Sequence, residues 1–289
     1  LGVDGIALST GFRTVQLYDA NPDMVEIGQF NLNKLGLKNI QFNLGKAEDS
    51  IATADWIYLD PDRRNNQVRK VALHHLSPNV VELLPKLKKN AKNVYIKLSP
   101  LFDIHEAIKV FGNIHRWFIL AENGEVKELG VWLHNGSNEQ QLVMHDVINS
   151  YHLEAQFTDT RHAVSAVPYP LRYFYVPNAL LLKSSLSEYE ASKHKLQIID
   201  GFHFYTSDDE LKVSGFKAFR VLYSGNWNMK LIKKVLQTQG ITHLTIVSKG
   251  LKQNEDRWYI QLNAIKGGAT MLYLLKGKEK IAVLAKPIS

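Results

Sequence analysis

The stretch Asp55-Trp56-Ile57-Tyr58-Leu59-Asp60-Pro61-Asp62-Arg63-Arg64 decides how this chain is read. Its first half is short and almost wholly apolar, as a strand covered on both faces of a parallel sheet requires. An acid, a proline and two arginines follow at once, which places them at the strand's carboxyl end, the edge where open α/β sheets gather ligands. Working outward, strands and helices alternate. Upstream, residues 14–18 predict a strand, Pro22–Leu35 a helix stopped by Gly36, and residues 39–43 another strand. Downstream come a helix over 80–89, a strand over 93–98 and a helix over 104–111. Two extended runs, 116–121 and 126–133, then flank Glu122-Asn123-Gly124-Glu125, which predicts a hairpin. The fold class expected is α/β, a Rossmann-like doubly wound sheet with an antiparallel terminal hairpin, followed by smaller α+β domains.

The turn-rich Asn135-Gly136-Ser137-Asn138 marks the first boundary. Three domains are expected, over 1–136, 137–215 and 216–289. The second holds an aromatic stretch, Tyr169 to Tyr175 around Arg172, and a helix over 178–195. The third holds a strand over 218–223, a helix over 229–239, a strand over 243–248 and a terminal pair over 271–275 and 281–285.

A chain of 289 residues with 45% hydrophobic composition can bury a sizeable core. No apolar run approaches the ~18 residues that span a bilayer, and the start, Leu1-Gly2-Val3-Asp4, has no signal-peptide pattern. A cytoplasmic location and no membrane partner are expected. The start on Leu with glycines crowded behind it suggests that the chain begins inside a domain. There are no cysteines, which excludes disulfides, thiolate zinc sites, iron–sulfur clusters and a cysteine nucleophile. Group transfer to an unactivated pyrimidine carbon normally needs such a thiolate to form a covalent adduct, so any group transfer here would go to nitrogen or oxygen. The net charge of +7 is uneven: 16 Lys and Arg face 15 acids in residues 1–136, against 19 and 13 in the remainder. A basic excess in one part is the electrostatic footprint of a phosphate backbone.

Candidate chemistry lies after each apolar run. Asp19 can accept hydrogen bonds from both hydroxyls of a cofactor ribose, with Ala20 beside it; the competing reading is a turn or helix-cap aspartate. Gly2-Val3-Asp4-Gly5 reads as the tail of a glycine-rich turn, where only glycine permits close backbone approach. Asp60 and the carbonyl of Pro61 can accept from a substrate amino group and align its lone pair. Arg63 and Arg64 can hold a phosphate or carboxylate in bidentate fashion. Lys97, in Lys97-Leu98-Ser99-Pro100, reads more readily as a lysine at a sheet rim than as a catalytic group. The histidines show no metal-ligand spacing, and no metal is expected. Neither a Gly-Lys-Ser/Thr phosphate loop nor a Gly-x-Ser-x-Gly elbow occurs. The aromatics around Arg172 could stack unpaired bases, though such stripes are more often core.

Taken together, these residues resemble the bacterial class I S-adenosylmethionine-dependent methyltransferases that carry a ferredoxin-like domain and a C-terminal THUMP-like domain. Gly2-Val3-Asp4 is similar to the end of that family's glycine-rich motif. Asp60, Pro61, Arg63 and Arg64 match its DPxRR motif, and residues 96–100 its IKLSP. Looser matches lie at 178–184, at Phe204-Tyr205-Thr206-Ser207 and at Lys266-Gly267-Gly268. The resemblance implies S-adenosyl-L-methionine as cofactor, held by Gly2, Asp4, Asp19, Ala20, Ala47 and Glu48, and RNA (tRNA or rRNA) as partner. Lys46 departs from it, standing where relatives place an acid or small polar residue. Two alternatives stay open: methylation of a small molecule or protein, and a non-catalytic RNA-binding protein on the same fold.

Overall fold

The structure, a computed structural model, describes residues 2–63, 73–112, 114–137, 139–251 and 256–288. It is a mixed α/β molecule with several sheets, and it divides into two compact units, residues 1–116 with 130–139 and residues 117–129 with 140–289.

In chain order the first unit contains α1 (Val3–Ser9), β1 (Val15–Asp19), α2 (Pro22–Leu35), β2 (Ile40–Leu44) and α3 (Ala47–Ser50). Then come β3 (Ala54–Leu59), β4 (Asp62–Arg63), β5 (Leu76–Ser77), α4 (Val80–Asn90), β6 (Ala91–Leu98) and α5 (Ile104–Phe111). β7 (Arg116–Glu122) and β8 (Glu125–His134) follow, and the boundary between the units passes through both. β1 and β2 are parallel, Val15 opposite Ile40 and Asp19 opposite Leu44. β3 and β6 are parallel, Tyr58 opposite Tyr95 and Leu59 opposite Ile96. Each helix has a local reason to start. Asn21 accepts the Asp23 N–H at 2.9 Å, with Pro22 at the first helical position, and Asn79 and Asp103 cap α4 and α5 in the same way. α2 buries Gly28 and Leu32 over Ile40 and Phe42, while α4 buries Val80, Leu83 and Leu87, one face at helical spacing. Each such leucine contributes roughly 1.5–3 kcal/mol by leaving water.

In the second unit β7 from Trp117 onward and the first half of β8 precede β9 (Gln141–Asp146) and β10 (Tyr151–Gln156), which pair antiparallel. Asn123 and Gly124, between β7 and β8, both have positive φ, as a tight two-residue turn requires. There follow β11 (Ala166–Val167), β12 (Tyr173–Pro177), α6 (Ala179–Ser184), α7 (Ser187–Lys193), β13 (Gln197–Ile199) and β14 (Tyr205–Ser207). β15 (Phe216–Asn226), α8 (Met229–Thr238), β16 (His243–Lys249), α9 (Asp256–Leu262), β17 (Ile265–Lys276) and β18 (Lys280–Pro287) complete the chain. One eight-stranded sheet runs β11-β13-β14-β12-β15-β18-β17-β16. Alternate residues of β17 and β18 enter opposite cores. Leu272, Leu274, Ala282 and Leu284 meet Ile232, Leu236, Trp258 and Leu262 from the helices, whereas Tyr273, Val283 and Ala285 meet Phe174, Phe204 and Phe219. The helix expected over 178–195 is two helices. Ser185 takes a left-handed conformation (φ 61°) and its N–H closes on the carbonyls of Leu181 and Leu182, so α6 ends before α7 begins.

Candidate functional site

The period-2 alternation of parallel strands builds the site. Tyr58 and Asp60 point to one side of β3 and Tyr95 and Lys97 to the same side of β6, because the two strands are in register at Tyr58 and Tyr95. The two tyrosine rings stack, their centroids 5.7 Å apart and their planes within 5°. Gly130 of β8 makes room for the second: a Cβ there would overlap the Tyr95 hydroxyl.

Beyond the tyrosines the polar groups converge on Lys97. Its Nζ lies 2.8 Å from Asp4 Oδ2 and 3.3 Å from Asp60 Oδ2, and the Tyr58 hydroxyl donates to Asp4 Oδ2 at 2.6 Å. The hydrogen bond from the Lys97 ammonium, then that from Tyr58, holds the Asp4 carboxyl below the usual carboxylate range. The structure thus joins the glycine-rich segment, the acid-proline loop and the Ile96-to-Pro100 segment around one ammonium group.

Asp4 reaches this place because α1 lies close on the first parallel pair. Gly2 caps it with φ 68°, and a Cβ on Gly2 would come within 2.5 Å of the Phe42 ring. A Cβ on Gly5 would come within 2.5 Å of Leu17, so neither glycine can carry a side chain without displacing β1 or β2.

Asp19 ends β1 in a turn. Its Oδ1 accepts the Asn21 N–H at 2.8 Å and its carbonyl accepts the Gly45 N–H at 3.0 Å. Asn21, rather than Asp19, is the helix cap, and Oδ2 of Asp19 has no hydrogen-bond partner among the described residues. The bond to Gly45 ties Asp19 to the segment that opens α3: Lys46, its exposed first-turn flank, then the half-buried Ala47 and Glu48. The Glu48 carbonyl accepts a hydrogen bond from Lys86. Ala20 is exposed beside Asp19.

The acid-proline loop turns back on itself after β3. Asp62 pairs with Ser77 and Arg63 with Leu76, which anchors the backbone of the loop at its first arginine. Arg64 lies outside the described residues. Tyr58 and Gly130 are the participants that sequence reasoning passed over; a tyrosine two residues before the acid, and a glycine inside a strand, were the available signals. Among the described residues no group of three His, Asp or Glu side chains is placed to hold a metal ion, and no helix is long and apolar enough to cross a membrane.

No protein-family model matches the chain. Two proteins of Streptococcus pyogenes, from serotypes M1 and M3 and each named "uncharacterized RNA methyltransferase", are 26% and 27% identical to it over 114 residues. That alignment covers 36% of this chain and 25% of each relative, so the chain spans a quarter of the length of the curated relatives it matches. A crystal structure of a "putative methyltransferase" from Porphyromonas gingivalis W83 superposes with a TM-score of 0.85 at 19% identity, over 100% of this chain and 75% of that one. This likeness establishes the fold as a methyltransferase-like α/β architecture.

Proposed function

We propose that this protein is an S-adenosylmethionine-dependent methyltransferase that transfers a methyl group to a nitrogen or oxygen of RNA, tRNA or rRNA, in the cytoplasm. The observation that carries the reading is the convergence of Asp4, Tyr58, Asp60 and Lys97 at the carboxyl ends of β3 and β6. The names of the streptococcal relatives point toward RNA. In this reading the parallel strands belong to a Rossmann-like class I sheet closed by a β7–β8 hairpin. Residues 1–136 form the catalytic domain, 137–215 a ferredoxin-like domain and 216–289 a THUMP-like domain.

The residues present fit the cofactor. Asp19 stands at the end of a parallel strand with one carboxylate oxygen unpartnered among the described residues, as an acceptor for ribose hydroxyls requires. Gly2 holds the left-handed backbone of a close-approach turn, and Asp4, Ala20, Ala47 and Glu48 complete the candidate set. When bound, S-adenosylmethionine supplies an electrophilic methyl carbon on a good leaving group. What remains for the protein is positioning. Asp60 and the Pro61 carbonyl accept hydrogen bonds from the acceptor amino group, so its lone pair is aimed rather than activated. Lys97 fixes Asp60 against Asp4 and thereby sets the loop's approach. Arg63 and Arg64 hold a substrate phosphate.

Calorimetric titration of S-adenosylhomocysteine into the protein tests the reading. Micromolar binding is expected, lost in Asp19→Ala and kept in Asp60→Ala, which instead loses methyl transfer. An absence of binding to the parent protein would leave a non-catalytic RNA-binding scaffold as the better account.

A further inference from the structure

Charge in the second unit is concentrated beyond what the whole-chain balance suggests. Residues 216–289 hold thirteen Lys and Arg against three acids. The sheet register gathers four of these lysines at one end. Lys276 and Lys280 face each other across the β17–β18 hairpin and Lys278 lies in the turn between them. Lys249 ends β16 opposite Leu275 and so lies on the other face of the sheet, its Nζ 4.4 Å from the Phe204 ring centroid. Lys276, Lys278 and Lys280 therefore form the row. Gly250 draws the end of β16 onto the hairpin: a Cβ there would meet the Lys276 carbonyl at 2.5 Å.

All four lysines are exposed, and none makes an ion pair among the described residues. Glu279, the one acid of the turn, accepts a hydrogen bond from the Tyr169 hydroxyl at 3.1 Å, and Tyr169 also reaches Asn226 at 2.9 Å. Half-buried rings stand beside the lysines. Lys280 Nζ lies 5.9 Å from the centroid of Trp227, and Tyr223 bonds the Asn226 carbonyl. Unpaired cations spaced along a sheet end, with aromatic faces next to them, suit a phosphate backbone whose bases are free to stack. The turn end of the hairpin, residues 276–280, contains only lysine, glycine and glutamate and so offers no large apolar side chain of the kind that would enter a bilayer.

We propose that the turn end of the β17–β18 hairpin forms a docking surface for single-stranded RNA, with Lys276, Lys278 and Lys280 gripping its phosphates. The choice of RNA as the polyanion rests on the function proposed above; the surface itself rests on the register and the charge. Its test measures binding alone, without a methyl donor, so a failure of methyl transfer leaves it standing. Fluorescence polarisation of a short single-stranded RNA is followed against the parent protein, Lys276→Glu/Lys278→Glu/Lys280→Glu, and a control with the same charge change in the first unit, Lys34→Glu/Lys38→Glu/Lys89→Glu. Circular dichroism verifies that each variant folds, and Lys276→Gln/Lys278→Gln/Lys280→Gln replaces the reversal if it does not. The hairpin variant is expected to bind roughly tenfold or more weakly, with the log–log salt slope shallower by about 2, because each lost phosphate contact removes about 0.7 on a single strand. The control is expected to lose far less and to keep its slope. Parent-like binding by the hairpin variant, or an equal loss in the control, overturns the proposal. So does binding of the parent to phosphatidylserine vesicles but not to RNA, which would make the surface a membrane one.

Discussion

Lys97 is the residue whose role changed most between sequence and structure. Its strand was legible as an apolar run, but its partners were not, since Asp4 and Asp60 lie 93 and 37 positions away. The in-register pairing of β3 with β6 puts Lys97 and Asp60 on one face, and the packing of α1 against β1 and β2 brings Asp4 to them. The Asp4 pair has a consequence for stability. A carboxyl held below its ordinary value of 3.8 contributes stability that is complete above that pH and is lost as the pH falls through the folded value. Lys97→Met is therefore expected to lower the urea midpoint at neutral pH by an amount equivalent to about 0.5 kcal/mol, small because both side chains are partly exposed and screened. The difference should close below about pH 3.8; a gap unchanged in acid would contradict it. Asp146 offers a second case. Its carboxylate accepts from the N–H of Asn149, Ile148 and Gly124 and from the Asn149 side chain, and those bonds, the Asn149 backbone first, pull its carboxyl down. Asp146→Asn should melt earlier than the parent at neutral pH and converge with it in acid, as differential scanning calorimetry can follow.

At the scale of elements, the helices with written ends were the readable ones. Pro22–Leu35 carries Asn before a proline at its start and a glycine at its close, and α5 has Asp103 before an amphipathic run. The β9–β10 hairpin had no such clarity, because its turn holds Val147 and Ile148, apolar residues that are exposed in the structure. Gly28 shows why an element cannot be judged on propensity alone. In a helix interior, Gly→Ala ordinarily gains up to about 1 kcal/mol. Here a Cβ would come within 2.6 Å of the Phe42 ring, which also lies against Gly2, so the ring has little room to retreat. Gly28→Ala is expected to destabilise by about 1–3 kcal/mol instead, the cost of overpacking. A thermal midpoint raised by the substitution would show that Phe42 can yield.

For the whole molecule, the two units divide the proposed tasks, cofactor and acceptor chemistry in the first, the lysine row in the second. Hydrogen exchange can separate them. S-adenosylhomocysteine at about 100 times its Kd should stabilise the site by about 2.7 kcal/mol and slow exchange at Asn21 and Gly45, leaving 276–280 unchanged. Single-stranded RNA should protect 276–280 whether or not the cofactor is bound. Protection by either ligand at the other's segments alone would reverse the assignment.

What the sequence determined by itself was the local grammar: the strand that stops at Asp60-Pro61, the alternation that makes the first part α/β, the caps, the basic excess of the second part and the absence of thiol chemistry. These follow from side-chain size, periodicity and charge, which act over a few residues. The meeting of Asp4, Tyr58, Asp60 and Lys97, the break at Ser185 and the lysine row at the β17–β18 turn were decided by tertiary structure. Each depends on strand register or backbone closure between segments distant in the chain, and register is chosen by the packing of both sheet faces together.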